Sequence, residues 1–565
     1  MKKRQRGPAT LLREVDGLKG RFGDGSAARK LELLQALDRA VLPTAQQVRR
    51  LHEVLCFLRA YPDDADVLTQ VENSLARFAD RRDLARHRRA LADSGIAGTD
   101  IHYTFYAPTA RWLVEHWGGK LTVDWGEFKG VERLERLLPL LATYSESPGL
   151  DEVDFPLREW VTRLKGPQET DAAFLVRRLA RVGGDSFVQE KFYDGLDLAL
   201  TLHAGPGTPS ITHAKLALQH VHFQEEPLHP ARPDIRRELS VPPVAVHELS
   251  PREGARLVAM AREAMVTRSR DLDAFSYGDA RDVRIFDCGD GLEFACIGVE
   301  PRRRLMLESV YAFLTLKNGV PIGYVLVSAL FGSSEIAYNV FDAWRGGEAG
   351  HVYGRVMATT RQLFGSDSFT IFPYQLGGDG NTEGLKSGAW WFYQKLGFRA
   401  RDRDVLALMK RELAATRRDP RHRSSMATLK ALSGENVHWH LGAERDDVIG
   451  IFPVELVGLA ITDYLARRFG SERERGERVC ADEVGTLLEF PEWRKLDPAE
   501  RTAWTRWSPL VLCLRDVGKW SNAEKNALVE VIRKKGGRRE SEFVHAFDAH
   551  RKLRSALRRI VADVS

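Results

Sequence analysis

The chain has 565 residues, more than one hydrophobic core accommodates, so we expect about three or four domains. With 43% hydrophobic and 29% charged residues, the composition is that of a soluble globular protein. The 84 basic and 78 acidic residues leave a net charge of +6, which is too small to indicate nucleic acid as a partner.

The cysteines and the apolar segments indicate the cellular compartment in which the protein is found. Apolar runs are too short to cross a bilayer, and the basic first residues are not followed by the apolar stretch of a signal peptide. No Cys-x-x-Cys pair occurs, and an odd number of cysteines at wide spacing indicates reduced thiols at Cys56, Cys288, Cys296, Cys480 and Cys513. We therefore expect a cytoplasmic protein without a membrane partner.

The first 240 residues predict two regions. Residues 1–100 form a helical region, because apolar residues recur at helical spacing over 31–42, 45–61, 64–80 and 82–94, with Pro43 and Pro62 as breaks. Residues 101–240 predict a mixed α/β region with strands at 104–106 and 120–124 and helices at 131–144 and 156–164. Five prolines within 227–243 indicate a linker at the end of this region.

Residues 241–411 alternate between strand and helix patterns. Lys317-Asn-Gly319 separates two runs of β-branched and aromatic residues, which predicts a hairpin. Pro251 is placed to open a helix, and Gly365 to end another that starts at 349. Strands are predicted at 244–249, 309–316, 321–331, 335–341, 369–373 and 405–409.

Three glycines precede or begin the helix predicted over 349–364. The start of a helix carries unpaired N–H groups and partial positive charge, and glycines there let a phosphate approach the backbone. Gly346, Gly347 and Gly350 in the loop Trp344-Arg-Gly-Gly-Glu-Ala-Gly350 therefore predict a phosphate site. On its own such a turn is a weak signal.

About forty residues later comes Lys386-Ser-Gly-Ala-Trp-Trp-Phe-Tyr-Gln-Lys-Leu-Gly-Phe398. Together with the glycine loop and the order of elements, this segment resembles the signature of the GNAT acyltransferase superfamily. The resemblance covers residues 241–411. It implies a fold in the α/β class: a central GNAT-like mixed sheet with helices, flanked by a mainly helical N-terminal region and a helical C-terminal region.

The resemblance also implies a function, an acyl-CoA-dependent transfer of an acyl group to an amine. The donor would be acetyl-CoA or another acyl-CoA, and the acceptor a large one such as a protein or peptide. Tyr393 would protonate the departing thiolate, and by position Glu335 and Asp342 are candidate bases. The residues implied in donor binding are Val340, Phe341, Arg345, Gly346, Gly347, Ala349, Gly350, His351 and Lys386.

Two positions depart from the family pattern. Glu348 occupies an intermediate glycine position of the loop, and Lys386 stands where the family often has an asparagine. Because a carboxylate beside a phosphate is unfavourable, two alternatives stay open. One is an acyltransferase with a carrier-protein thioester as donor, and the other is a non-catalytic binding or scaffold protein with the same fold.

Residues 412–565 predict a helical C-terminal domain, with helices at 454–468, 522–535 and 540–561. Basic residues are concentrated over 417–423, which indicates a solvated face or a linker. The more specific alternative is that this run binds an acidic partner or the 3′-phosphate of the donor.

Histidines raise the question of a metal. His213, His220, His222 and His229 lie within seventeen residues, and His438-Trp-His440 forms a pair, yet no established ligand spacing occurs. We expect no metal. The sequence leaves the oligomeric state open.

Overall fold

The computed structural model describes residues 7–23, 25–228 and 232–564, which divide into two compact units. The first comprises the residues up to 228 together with 258–277 and 317–321, and the second comprises the remainder of the chain. His229, one of the histidines considered as a metal ligand, lies outside the described residues.

The first unit begins with helices and continues as a mixture of helices and short strands. Helices α2 to α5 correspond to the four predicted between residues 31 and 94. The helices of this part are α1 (Pro8–Leu18), α2 (Ser26–Asp38), α3 (Ala45–Ala60), α4 (Ala65–Ala76), α5 (Arg82–His87), α6 (Ala107–Trp117), α7 (Val131–Leu141), α8 (Ser147–Glu152), α9 (Leu157–Leu164), α10 (Asp171–Leu179) and α11 (Ser186–Asp194).

Three strands form an antiparallel sheet in this unit, β1 (Ile101–Tyr103), β2 (Leu121–Val123) and β3 (Leu200–Leu202), with β3 in the centre. The strand predicted at 104–106 is wrong by three residues. Pro108 favours the first turn of α6, so the chain leaves the sheet after Tyr103.

A nine-stranded mixed sheet forms the centre of the second unit. Its order is β11-β12-β10-β9-β8-β7-β6-β5-β4. Strands β9 and β10 pair in parallel, whereas the pairs β4–β5, β5–β6, β8–β9, β10–β12 and β11–β12 are antiparallel. The strands are β4 (Ala245–Glu248), β5 (Gly278–Asp287), β6 (Leu292–Val299), β7 (Ser309–Lys317), β8 (Val320–Leu330), β9 (Ser333–Val340), β10 (Ser368–Ile371), β11 (Arg399–Ala400) and β12 (Val437–His440).

The hairpin between β7 and β8 turns where the sequence predicts it. Asn318 and Gly319 have φ values of +49° and +74°. A two-residue turn with both residues in the left-handed region suits asparagine followed by glycine, which confirms the prediction.

The remaining helices, of which α14 belongs to the first unit and α13 is divided between the two, complete the fold. They are α12 (Ile235–Glu238), α13 (Pro251–Val266), α14 (Asp273–Ser276), α15 (Ala349–Phe364), α16 (Pro373–Leu376), α17 (Thr382–Ser387), α18 (Ala389–Lys395), α19 (Arg403–Arg418), α20 (Met426–Leu432), α21 (Val454–Phe469), α22 (Arg473–Leu487), α23 (Pro498–Cys513), α24 (Asn522–Gly536), α25 (Glu540–Ala549) and α26 (Arg551–Val564).

The strand predicted at 405–409 is wrong, because these residues lie in α19. The Asp402 side chain accepts hydrogen bonds from the N–H groups of Asp404 and Val405, which caps the helix. Val405 and Met409 are both buried, at the four-residue spacing of one helix face. A short apolar run fits a strand and a buried helix equally well.

Residues 412–565 contribute both to the sheet and to its core. Strand β12 pairs with β10 and β11, and the C-terminal helices bury aromatic side chains against the sheet. Phe331 and Phe547 stack with ring centroids 5.2 Å apart, and the Trp507 Nε1–H donates to the Met306 carbonyl oxygen at 3.1 Å. The C-terminal helices therefore share the hydrophobic core of the nine-stranded sheet.

The single helix predicted over 540–561 divides at His550. The His550 ring accepts a hydrogen bond from the Leu553 N–H at 3.1 Å and donates to the Glu524 carbonyl oxygen at 3.0 Å. This side chain therefore caps the start of α26. No helix among the described residues is long and apolar enough to span a membrane.

Candidate active site

A gap opens between β9 and β10. The two strands pair at only three positions, the last of which joins Thr370 to Glu335. Beyond it, residues 336–340 of β9 continue along β8, while β10 ends at Ile371 and the chain turns into α16. We call this opening the β9–β10 gap.

The backbone of β9 presents N–H groups toward this gap. Phe341 N–H donates to the Ile322 carbonyl oxygen on the β8 side at 2.9 Å, whereas the Val340 carbonyl oxygen accepts from Arg345 Nε at 3.1 Å. Because successive residues of a strand direct their backbone groups to opposite edges, the N–H groups of Tyr338 and Val340 face the gap.

A cavity of about 340 Å³ lies at the gap. Five elements build it: the end of β9, the glycine turn with the start of α15, and the helices α16, α17 and α18. Five predicted site residues line it, namely Val340, Arg345, Gly346, Ala349 and Tyr393. The lining residues that the sequence did not predict are Tyr338, Asn339, Gln375, Asn381, Glu383, Gly384, Ser387, Ala389 and Phe392.

Of the three glycines predicted to bind a phosphate, Gly346 is the one that lines the cavity. Gly346 has a φ of +92°, so a side chain there would be strained although space is open around it. Five of the predicted donor-binding residues do not line the cavity, namely Phe341, Gly347, Gly350, His351 and Lys386. Phe341 is buried against Tyr324, and Lys386 is exposed on α17.

Charged side chains stand at the solvent-facing end of the cavity. Arg345 forms ion pairs with Asp342 at 3.0 Å and with Glu383. The Arg345 and Glu383 side chains are 43% and 58% exposed, in contrast to Tyr393 at 3%. Asp342, predicted as a candidate base, is therefore an ion-pair partner of Arg345.

Aromatic rings form the deep end. The ring centroid of Tyr353 lies 5.4 Å from Tyr338, 5.4 Å from Tyr393 and 5.7 Å from Phe392. Burial raises the pKa of Tyr393 above its ordinary value, and the negative charge of Glu335 raises it further. The Tyr393 hydroxyl therefore keeps its proton at neutral pH and can donate it.

Glu335 occupies the base of the β9–β10 gap, at the last β9–β10 pair, without lining the cavity. Burial raises the pKa of Glu335 to about 7. A hydrogen bond from Ser328 has the opposite, smaller effect on this pKa. A carboxyl group with this pKa exchanges protons readily near neutral pH.

Amide side chains provide polar groups between the two ends. Asn339 Oδ1 is buried and accepts no hydrogen bond from any residue that the structure describes. Asn381 caps α17 through the Gly384 N–H at 2.9 Å and donates to the Tyr374 carbonyl oxygen at 2.7 Å. The sequence offered one signal for this group, an asparagine three residues ahead of Gly384 at a helix start.

Within the described part of the chain, no group of three or more His, Cys, Asp or Glu side chains is arranged to hold a metal ion. The His438 ring lies 3.1 Å from Thr370 Oγ1, and burial lowers its pKa to about 4. His438 is therefore a neutral hydrogen-bonding partner within the sheet.

Comparison of the chain with protein-family models, with curated proteins and with solved structures gave no match.

Proposed function

We propose that this chain is an N-acyltransferase whose donor is a thioester on a pantetheine arm, held in the cavity at the β9–β10 gap. One observation carries the proposal: a splayed pair of parallel strands encloses a cavity between a glycine turn at a helix start and a buried tyrosine. The GNAT-like segments of the sequence supply these same elements. The arm would be part of coenzyme A or attached to a carrier protein.

The reaction is the displacement of a thiol by an amine. The amine nitrogen attacks the thioester carbonyl carbon, the C–N bond forms, and the tetrahedral intermediate collapses with loss of the C–S bond. The sulfur leaves with the bonding electron pair and takes up a proton, while the nitrogen loses one. No redox partner is needed.

The described groups suit these steps. The N–H groups of Tyr338 and Val340 face the gap, where they can stabilise the oxyanion on the carbonyl oxygen. Tyr393, protonated at neutral pH, donates to the thiolate. Glu335, with a pKa of about 7, receives the amine proton through a water molecule because it does not line the cavity.

The pantetheine arm itself matches the polar groups of the wall. The arm contains two amide groups, and the buried Asn339 Oδ1 is an acceptor for an amide N–H. Pockets for small organic molecules measure about 300–1,000 Å³, so a cavity of about 340 Å³ suits the arm with a short acyl group.

The test is thiol release by the full chain from acetyl-pantetheine and from acetyl-CoA, in the presence of an amine panel that includes a lysine-containing peptide. Mass spectrometry identifies the acylated product. Ala389→Trp places a large ring in the cavity and should abolish release, whereas Ala407→Trp, on the exposed face of α19, should retain it. Amine-independent release, or equal rates in both variants, would refute the proposal.

A further inference from the structure

The charge of the cavity is poorly matched to coenzyme A. Arg345, the cationic side chain that lines it, is already paired with Asp342 and Glu383. Glu348, a buried carboxylate, stands at the start of α15. Coenzyme A carries a pyrophosphate and a 3′-phosphate, so its binding here would bring several negative charges to a wall whose cation is already shared by two carboxylates.

Positive charge is concentrated instead on a neighbouring surface. We call it the basic surface, and its members, all exposed, are Lys410, Arg411, Arg417, Arg418, Arg421 and Arg423. The two carboxylates within this stretch are engaged: Glu412 binds His422 at 2.9 Å and Ser424 at 2.6 Å, and Asp419 lies 3.5 Å from Arg421. Arg417 and Arg418 form no ion pair with any residue in the described ranges.

This surface is joined to the helices that wall the cavity. Helix α20 packs on α17, which contributes Glu383, Gly384 and Ser387 to the lining. The Trp391 Nε1–H of α18 donates to Ser424 Oγ at 3.1 Å, and Ser424 in turn donates to Glu412 on α19. A macromolecule bound on the basic surface would therefore sit beside the helices that enclose the donor.

We propose that the basic surface docks a small acidic carrier protein, which delivers the acyl group into the cavity on its phosphopantetheine arm. This inference rests on the proposed function and names the donor. Complementary charge on the two proteins accelerates their encounter and fixes their orientation. The arm of a carrier protein has a single phosphate at its root, so the cavity needs no cationic pyrophosphate site.

The test compares three donors with the full chain: acetyl groups on an acidic acyl carrier protein, on coenzyme A and on pantetheine. We expect kcat/KM to be at least about tenfold higher with the carrier protein than with coenzyme A. The triple variant Arg417→Glu, Arg418→Glu, Arg423→Glu should lower the ratio of carrier to pantetheine rates by about tenfold or more, and added salt should lower it as well.

The matched control is Arg551→Glu, Arg558→Glu, Arg559→Glu, which reverses three exposed arginines on α26. Equal effects of the two triple variants, or coenzyme A as the better donor, would overturn the carrier inference and leave the acyltransferase proposal intact. Fluorescence anisotropy with the labelled carrier protein gives a readout without turnover, and absence of binding also overturns the inference. Carrier binding without thiol release from any donor would refute the proposed function alone.

Discussion

The two ends of the cavity differ in how their polar groups are satisfied. At the outer end, Arg345 is paired with two carboxylates and a backbone carbonyl oxygen, so its charge is compensated. Farther from solvent, Asn339 Oδ1 in the cavity wall is buried and has no hydrogen-bond partner among the described residues. Leaving a buried polar atom unpaired costs about 1–3 kcal/mol.

That contrast indicates where a ligand is needed. Groups that are already paired gain little from a new contact, whereas an unpaired buried acceptor gains a full hydrogen bond when a donor arrives. The inner wall is therefore prepared for the arm, whereas the positive charge of Arg345 at the outer end is already compensated. Substitutions in the inner part of the cavity should therefore have larger effects than substitutions at its outer end.

Tyr393→Phe should have the largest effect, because it removes a proton donor that acts only on the departing sulfur. We expect kcat for thiol release to fall by roughly ten- to a thousand-fold with little change in donor affinity. Single-turnover kinetics and a binding titration separate the two quantities.

Tyr353→Phe is the matched control for this change. It makes the same substitution in a ring 5.4 Å away whose hydroxyl is buried without a described partner, and Tyr353 does not line the cavity. We expect unchanged kcat and equal or higher thermal stability. Equal losses of kcat in both variants would show that Tyr393 acts through packing.

Glu335→Gln should change how the stability and the activity of the protein depend on pH. The folded-state pKa of about 7 lies above the ordinary 4.5, so the stability that comes from protonated Glu335 is fully present below about pH 4.5 and is lost as pH rises through about 7. The variant should therefore be more stable than the wild type at about pH 8, with no gain at about pH 4.

The activity of Glu335→Gln should be lower than that of the wild type at the alkaline pH where the variant is more stable. In the wild type, kcat/KM rises through about pH 7 as Glu335 becomes a base, and the variant should lack this step. Thermal melts and rate profiles on the same samples provide both readouts. A wild-type step that persists in Glu335→Gln would assign the base to another group.

Glu383→Gln should have the smallest effect, at the outer end. Removing one exposed carboxylate from Arg345 should strengthen coenzyme A binding by at most about fivefold, since exposed ion pairs contribute about 0.2–1 kcal/mol. Isothermal titration measures the change, with the exposed Glu435→Gln as control. Weaker binding in Glu383→Gln would mean that Glu383 supports the phosphate site.

The sequence predicted the central strands and the glycine turn for local reasons. The Asn318-Gly319 turn, the β-branched runs and the glycines before α15 each depend on a few adjacent residues. Val340, Arg345, Gly346, Ala349 and Tyr393, which the resemblance names, all line the cavity, and their role there stays a prediction.

What the sequence did not predict depends on contacts between distant segments. Strand β12 has four residues and takes its place from pairing with β10 and β11, not from its own pattern. Nothing in the local sequence distinguishes Asn339 and Glu383 from other polar residues, because they become cavity residues only through the packing of α17 near the end of β9. The ion pairs of Arg345 likewise could not be inferred, because Glu383 lies 38 residues away in the chain.

Strand β12 also affects when this protein can fold during its synthesis. Ser368 of β10 pairs with His440, so the outer edge of β10 remains unpaired until residue 440 has left the ribosome. A nascent chain that ends near residue 411 would carry the glycine turn and Tyr393 beside an open strand edge, which invites pairing with other chains. Shielding by a chaperone during this interval would protect the protein, and slow translation between residues 411 and 440 would prolong its exposure.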